Sequence, residues 1–247
     1  MKIVAIIPAR LASSRFPNKL LKDLGGRAVI VHTYQNAVAS GLFEEVIIAT
    51  DSDLIREEIE KHGGKVVMTG KHETGSDRIA EAAKKVTADI IINIQGDEPF
   101  LHKKPLQDLI SVFKQDENQE IDVASLYIPL QEKEEIQNPN NVKLVCDRAG
   151  NAMYFSRWPI PFLRDETENV EYKKHIGVYA FRKTALEKFS ELPLGASENA
   201  EKIEAIRFLE NNMKIRMVKT HFVGVGIDTP EDLEKAKKIL ERYQLDE

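Results

Sequence analysis

Short runs of valine and isoleucine recur along the first hundred residues, each followed by a longer amphipathic stretch. The runs cover residues 3–8, 45–50, 65–68 and 90–95, and the stretches that read as helices lie near 28–40, 53–62, 76–86 and 104–114. Short strands that are apolar throughout are those buried on both faces. Strands of that kind alternating with helices predict βαβ units, so the expected fold is α/β, a mostly parallel twisted sheet with right-handed crossovers and helices on both faces. Ligands of such sheets bind beyond the carboxyl ends of the strands. Residues that directly follow each apolar run are therefore the first candidates for chemistry.

The pattern changes after about residue 120. Strands are expected at 122–129, 142–147 and 152–156, with turns at Asn138-Pro139-Asn140-Asn141 and Asp147-Arg148-Ala149-Gly150. A polar stretch over 164–171 precedes another apolar run at 176–181. Helices are expected at 183–192 and 198–212, then a strand at 214–218. Asp228-Thr229-Pro230-Glu231-Asp232 opens a final helix, with Thr229 as N-cap, Pro230 as first helical residue and acids in the first turn. No repeat or long linker divides the 247 residues. The expectation is one domain, 1–247, with a β-rich excursion at about 138–182.

Composition removes several function classes. Lys and Arg total 35 against 40 for Asp and Glu, a formal net charge of −5. A general nucleic-acid or anionic-membrane binder needs an excess of cations, so neither is expected as a partner. An anionic small molecule remains compatible, because a local cation cluster can sit under an acidic total. Cys146 is the only cysteine, which excludes an internal disulfide framework and a cysteine-rich zinc site. No stretch reaches the roughly 18 apolar residues of a membrane span. The apolar start is too short for a signal-peptide core and reads as a first buried strand. A soluble chain in a reducing, cytoplasmic compartment is expected.

The first run leads into Pro8-Ala9-Arg10-Leu11-Ala12-Ser13-Ser14-Arg15-Phe16-Pro17-Asn18-Lys19-Leu20. Arg10, Arg15 and Lys19 at a strand's carboxyl end can converge on a triphosphate, or can be ordinary solvated cations of a surface loop. No Walker loop and no dinucleotide glycine fingerprint is present. The fourth run ends in Gln95-Gly96-Asp97-Glu98-Pro99. Asp97 is a candidate Mg²⁺ ligand, since that ion takes one or two carboxylates and completes its shell with phosphate oxygens and water; the plainer reading is a turn. Asp228 stands at a second expected strand-to-helix junction, as a helix-entry residue or as a second carboxylate converging on Asp97. Gly75-Ser76-Asp77-Arg78 opens a helix whose Ser76 and Asp77 can cap backbone N–H groups or leave them to a polar ligand. Arg157 and His175 lie on apolar strands. Arg157 needs a partner, either an internal acid or an acidic substrate, and His175 is a structural histidine or a ligand contact. No zincin motif or nucleophile elbow is found.

Taken in order, these segments resemble the 3-deoxy-manno-octulosonate (Kdo) cytidylyltransferases, the CMP-Kdo synthetases. The resemblance runs through Ile7-Pro8-Ala9-Arg10, Ser14-Arg15, Lys19, Ala49-Thr50-Asp51, Thr74-Gly75-Ser76-Asp77-Arg78 and Gln95-Gly96-Asp97-Glu98-Pro99. It continues through Asn138-Pro139, Val142-Lys143, Tyr154-Phe155-Ser156-Arg157, Ile160-Pro161, Lys174-His175-Ile176-Gly177-Val178-Tyr179 and Gly226-Ile227-Asp228-Thr229-Pro230-Glu231-Asp232. It implies a glycosyltransferase-A-like nucleotidyltransferase of lipopolysaccharide biosynthesis that turns CTP and a 3-deoxy sugar acid into a CMP-sugar and pyrophosphate with Mg²⁺. By this resemblance Arg10, Arg15 and Lys19 match the triphosphate loop, and with Asp97 the catalytic set. Asp97 and Asp228 match the magnesium carboxylates. Pro8, Ala9, Ser76, Asp77 and Arg78 match the surroundings of the cytidine, and Gln95, Arg157, His175, Tyr179 and Glu204 match the sugar-acid pocket. A homodimer joined through the β-rich excursion is also implied.

Two departures stand out. Where the family usually reads Gly-Lys-Pro-Leu, this chain has Asn18-Lys19-Leu20-Leu21, which changes the backbone freedom of the loop. Ala205 stands where the family has a glutamine beside the sugar. A lost amide points to a changed acceptor: amino-substituted Kdo, a nonulosonate or a phosphonate. A non-catalytic nucleotide-binding regulator and a pyrophosphorylase acting on sugar phosphates are the competing expectations.

Overall fold

The structure, a computed structural model, describes residues 1–12, 15–72, 74–165, 170–222 and 224–245, with side chains to residue 241. Ser13 and Ser14 of the cationic loop and residues 166–169 of the polar stretch lie outside these. The strands are β1 (Ile3–Ala9), β2 (Glu45–Thr50), β3 (Lys65–Met68), β4 (Ile90–Asn93), β5 (Val123–Leu130), β6 (Lys143–Cys146), β7 (Ala152–Ser156), β8 (Tyr172–Arg182) and β9 (Ile215–Lys219). The helices are α1 (Val29–Ala39), α2 (Asp53–Lys61), α3 (Gly75–Ala83), α4 (Lys103–Gln115), α5 (Lys133–Gln137), α6 (Lys183–Phe189), α7 (Ala196–Glu201), α8 (Ala205–Glu210) and α9 (Pro230–Leu245). They form two compact units, Met1–Lys103 with Gly224–Glu247, and Lys104–Val223.

In the first unit four parallel strands lie in the order β3-β2-β1-β4. The valine and isoleucine runs form them for the reason the sequence suggests: Val4 through Ile7 and Ile90 through Ile92 are fully buried. The chain steps from β1 to β2 and β3 on one side and returns as β4 on the other. The loops after β1 and β4 therefore part at a topological switch point, where open α/β sheets take their ligands. A cluster of Phe16, Leu24, Val29, Ile227, Leu233 and Ala236 packs the cationic loop against the start of α9. That burial brings Lys19 and Asp228 into one neighbourhood although they are 209 residues apart.

The second unit is mixed. β5 runs antiparallel to β8 and parallel to β9, and β6 is antiparallel to β7 and β8. The register of β5 and β8 breaks once: Ser125 faces Tyr179, but Leu126 faces Ile176, so Gly177 and Val178 form a bulge. Stacked rings fill the core, with Phe181 to Phe208 at 5.9 Å and Phe189 to Phe208 at 4.3 Å between centroids. A buried ion pair braces α7 against α8, where Arg207 Nε and Nη2 each donate to Glu198 at 2.7 Å.

Three elements depart most from the sequence expectation. β8 begins at Tyr172, four residues early, because Tyr172-Lys173-Lys174 pair with Leu130-Pro129-Ile128 without being apolar. The helix expected over 198–212 is two helices. Lys202 takes a left-handed conformation (φ 54°), and Arg157 collects the carbonyls freed there, with Nε donating to Glu201 O at 2.7 Å and Nη2 to Lys202 O at 3.3 Å. A cation on the last carbonyls is a recognised way to end a helix. The third is α5, whose five residues bury nothing and so carry no periodic signal.

Candidate active site

Lys19 sits on a 3-10 turn (Lys19–Leu21) that begins after Asn18. Asn18 is left-handed, φ 55°. It takes up the kind of backbone conformation glycine favours, so replacing glycine at this point of the loop leaves the turn accessible at a small cost. From the turn, Lys19 Nζ reaches Asp97 Oδ2 at 2.5 Å and Asp228 Oδ1 at 2.8 Å. Arg15 Nη2 adds a bond to Asp228 Oδ2 at 3.1 Å from a largely exposed position.

Asp97 is delivered by a tightly tied loop after β4. Thr33 Oγ1 donates to Gly96 O at 3.0 Å, and Asn36 Nδ2 donates to Pro99 O, so α1 holds both ends. Gly96 keeps the approach close: a Cβ would crowd Pro8 O and Ile30 Cδ1 at 3.1 Å. Asp228 does not follow a strand, contrary to the sequence expectation, since β9 ends at Lys219. It arrives on a loop that runs beside the Asp97 loop, with Ile227 N donating to Asp97 O at 3.0 Å. The N-terminus of α9 then fixes it through a capping box. Thr229 Oγ1 accepts from Asp232 N at 3.2 Å, and Asp232 Oδ2 accepts from Thr229 N and Asp228 N.

The electrostatics follow from this convergence. Burial works to lower the Lys19 pKa, but hydrogen bonds to Asp228 and Asp97 outweigh it and raise the value above that of an ordinary lysine. The Lys19 bond holds the Asp228 carboxyl below the usual carboxylate range. Burial, helped by the Asp97 charge, pushes Glu98 up to about 7. Sequence reading missed Glu98, which the Gly96-Asp97 motif overshadowed.

Beside this cluster lies an open cleft of about 740 Å³, lined among others by Arg10, Asn18, Asp51, Lys71, His72 and Arg78. Arg10 faces the cleft. Arg78 is buried in its wall, where Nη1 bonds Thr69 Oγ1 at 2.6 Å and pairs with Asp51 Oδ1 at 3.2 Å. The cap of α3 is Thr74, whose Oγ1 accepts from Asp77 N at 3.2 Å and donates to Asp77 Oδ2 at 2.8 Å; Ser76 is buried inside the first turn. Pro8 and Ala9 end β1, paired with Ala49 and Thr50. His72 Nε2 lies 2.6 Å from Glu81 Oε2, which also accepts from Gly70 N. Sequence reading also missed Lys71 and His72, although a cation and an imidazole just before a helix cap are a signal that could have found them.

Gln95 belongs to the first unit, one residue before Gly96. The other four sugar-pocket candidates lie in the second. His175 and Tyr179 neighbour each other on β8, ring centroids 5.3 Å apart, with Phe155 at 4.9 Å from His175. Both residues are half-buried. Burial lowers His175 to about 4 and, with the Glu204 charge, raises the Tyr179 hydroxyl far above its ordinary value. The backbone N–H of Arg157 donates to an internal acid, Glu201 Oε2, at 2.8 Å. Its guanidinium meets carbonyls: besides Glu201 O and Lys202 O, Nη1 donates to Pro139 O at 2.9 Å. Next to it, fully buried Lys143 donates through Nζ to the carbonyls of Asn138, Asn141 and Arg157. Ala205 is itself fully buried in the first turn of α8, so the departure from the family's glutamine falls on core packing.

A cytidylyltransferase family model matches residues 4–215 of the chain. The 3-deoxy-manno-octulosonate cytidylyltransferase of Christiangramia forsetii is 55% identical over 240 residues, covering 97% of each chain. That of Flavobacterium johnsoniae is 53% identical over 241 residues, covering 97% of this chain and 99% of the relative. The solved structure of CMP:2-keto-3-deoxy-manno-octonic acid synthetase complexed with CTP superimposes with a TM-score of 0.91 at 37% identity, over 98% of this chain and all of the other. The α/β fold with a mostly parallel sheet agrees with that neighbour.

Proposed function

The chain belongs to the 3-deoxy-manno-octulosonate cytidylyltransferases, and from that membership we propose that it transfers CMP from CTP to Kdo with release of pyrophosphate, using Mg²⁺. One observation carries the reading. A single ammonium, Lys19 Nζ, is shared by two carboxylates far apart in the sequence, Asp97 and Asp228, next to a cleft with Arg10 in its lining.

The metal fits the residues present. Asp97 and Asp228 converge on one cationic atom, which stands in for a cation between them, and both offer hard oxygen donors. Among the described residues no group of three or more potential ligands forms. Two carboxylates suit an ion that completes its shell with phosphate and water. When bound, magnesium supplies neutralising charge for the α-phosphate and lowers the proton affinity of the attacking hydroxyl.

The chain's own residues do the rest by positioning. The anomeric hydroxyl of Kdo attacks the α-phosphorus; its oxygen forms the new P–O bond while the bond to the β-phosphate oxygen breaks and pyrophosphate leaves. Lys19, Arg10 and Arg15 offset the charge that grows on the departing group. The Pro8–Ala9 end of β1, Ser76, Asp77 and Arg78 shape the nucleotide cleft, and Gln95, His175, Tyr179 and Glu204 serve the sugar acid. Arg157, engaged with three carbonyls, acts by holding the Pro139 turn and the end of α7. Kdo itself is favoured over an altered acid, because Ala205 is packed in the core and the relatives share that acceptor.

Met153, Trp158 and Phe162 leave 61%, 75% and 83% of their surface exposed. Such apolar exposure supports a homodimer joined through the excursion. No described helix is long and apolar enough to cross a membrane, and the free thiol of Cys146 suits a reducing cytoplasm. The test is pyrophosphate release with each of the four NTPs against a panel of sugar acids, with and without Mg²⁺. Turnover confined to CTP, Kdo and metal is expected; equal turnover of another acid or a metal-independent rate overturns the corresponding part.

A further inference from the structure

Ser125 is fully buried in β5, opposite the bulge of β8. Its Oγ lies 2.9 Å from Val178 O, 3.2 Å from Ile176 O and 2.9 Å from His175 Nε2. A serine hydroxyl has one proton to donate, and a carbonyl oxygen only accepts. Once that proton goes to either carbonyl, the contact with the ring has to be made by a proton on Nε2. The reverse arrangement, Oγ–H donating to Nε2, leaves two carbonyl oxygens facing the serine oxygen with no proton between. Burial keeps the imidazole neutral around pH 7, its pKa lowered to about 4. One ring nitrogen then carries a proton and the other a lone pair.

We propose that Ser125 is a positioning residue that fixes His175 as the Nε2–H tautomer, so that Nδ1 offers an acceptor to a hydroxyl of the sugar acid. Among the described residues no hydrogen bond reaches Nδ1, and His175, a half-buried residue, holds its ring between Phe155 and Tyr179. A lone pair there repels a carboxylate and favours a hydroxyl proton. His175 thus reads the polyol part of the acceptor, and the acid group has to be met by donors elsewhere. The bulge has a use in this reading: by slipping Gly177 and Val178 into β8 it turns two carbonyls onto one serine. The identity of the ligand rests on the function proposed above; the tautomer does not.

The test is a long-range ¹H–¹⁵N correlation spectrum of the full chain labelled at histidine, with His175 assigned by the signal lost in His175→Gln. An Nε2–H pattern is expected for His175, and an Nδ1–H pattern overturns the proposal. In Ser125→Ala the two tautomers should mix and KM for Kdo should rise about tenfold, the loss expected for one neutral hydrogen bond, with KM for CTP within about twofold. Ser125→Thr, which keeps the hydroxyl, should restore both readings. An unchanged tautomer and KM in Ser125→Ala also overturn it. The wild-type spectrum needs neither a variant nor a substrate, so it decides the tautomer even if Ser125→Ala fails to fold or Kdo is not turned over.

Discussion

The backbone N–H of Ile227 donates to the carbonyl oxygen of Asp97 at 3.0 Å. The loops that carry the two candidate magnesium carboxylates are thereby fastened through main chain, and the carboxylate side chains stay available for a cation. Binding and folding are separable at this point of the molecule.

Asp97→Asn and Asp228→Asn should therefore fold as the parent does. Each should lower kcat by about 100-fold or more, since the cation that would neutralise the reacting phosphate loses a charged ligand. Thermal melting should shift by only a few degrees, on the order of a 1 kcal/mol change. Steady-state rates across a magnesium titration check this. Near-normal turnover at saturating metal would remove the metal assignment.

Lys19→Met should cost about 100-fold in kcat/KM for CTP, because a charge is withdrawn from the leaving group. Arg15→Ala should cost less than about tenfold, since its side chain is largely exposed and water screens its pairing. Reversed ranks for the two variants would show that the loop binds its phosphates in another order.

The strands of the first unit are legible in the sequence because a strand buried on both faces leaves little room for polar residues, and fully buried Ile90, Ile91 and Ile92 record that directly. The approach of Asp97 to Lys19 can be suspected from position after a strand, yet the segment that brings Asp228 is not what its pattern suggests. Asp228 follows a loop, and no local pattern reports that Ile227 lies against Asp97. The break at Lys202 is hidden for the same reason: the residue that ends α7 is Arg157, 45 residues away. Ser125 gives no signal at all, since one serine among apolar neighbours fits an ordinary strand.

Arg157→Ala should destabilise by about 1–3 kcal/mol, because carbonyls at the end of α7 and at Pro139 lose their donor. Arg157→Lys should recover only a fraction, as a single nitrogen cannot reach carbonyls spread around the guanidinium on Nε, Nη1 and Nη2. Urea midpoints of the three proteins decide it, and full recovery by lysine would mean that charge alone matters.

Stability should also depend on pH through His175. Its folded pKa, about 4, lies below the ordinary 6.5, so between those values the unfolded chain binds the extra proton. Stability is then complete above about pH 6.5 and is lost as pH falls toward 4. His32, lowered by burial, contributes with the same sign. His175→Gln should flatten the profile by nearly one proton in that window. Chemical denaturation at several pH values measures it, and superimposable profiles would show that the ring is already open to protonation in the native state.

Lys143 places one ammonium where the carbonyls of Asn138, Asn141 and Arg157 meet. Arg157 in turn grips Pro139 and the end of α7. None of these segments can loosen alone without stranding a buried positive charge. Amide hydrogens of β6, of the 138–141 turn and of the α7 terminus should accordingly exchange with deuterium at a common rate, as a single cooperative block whose latch is one lysine.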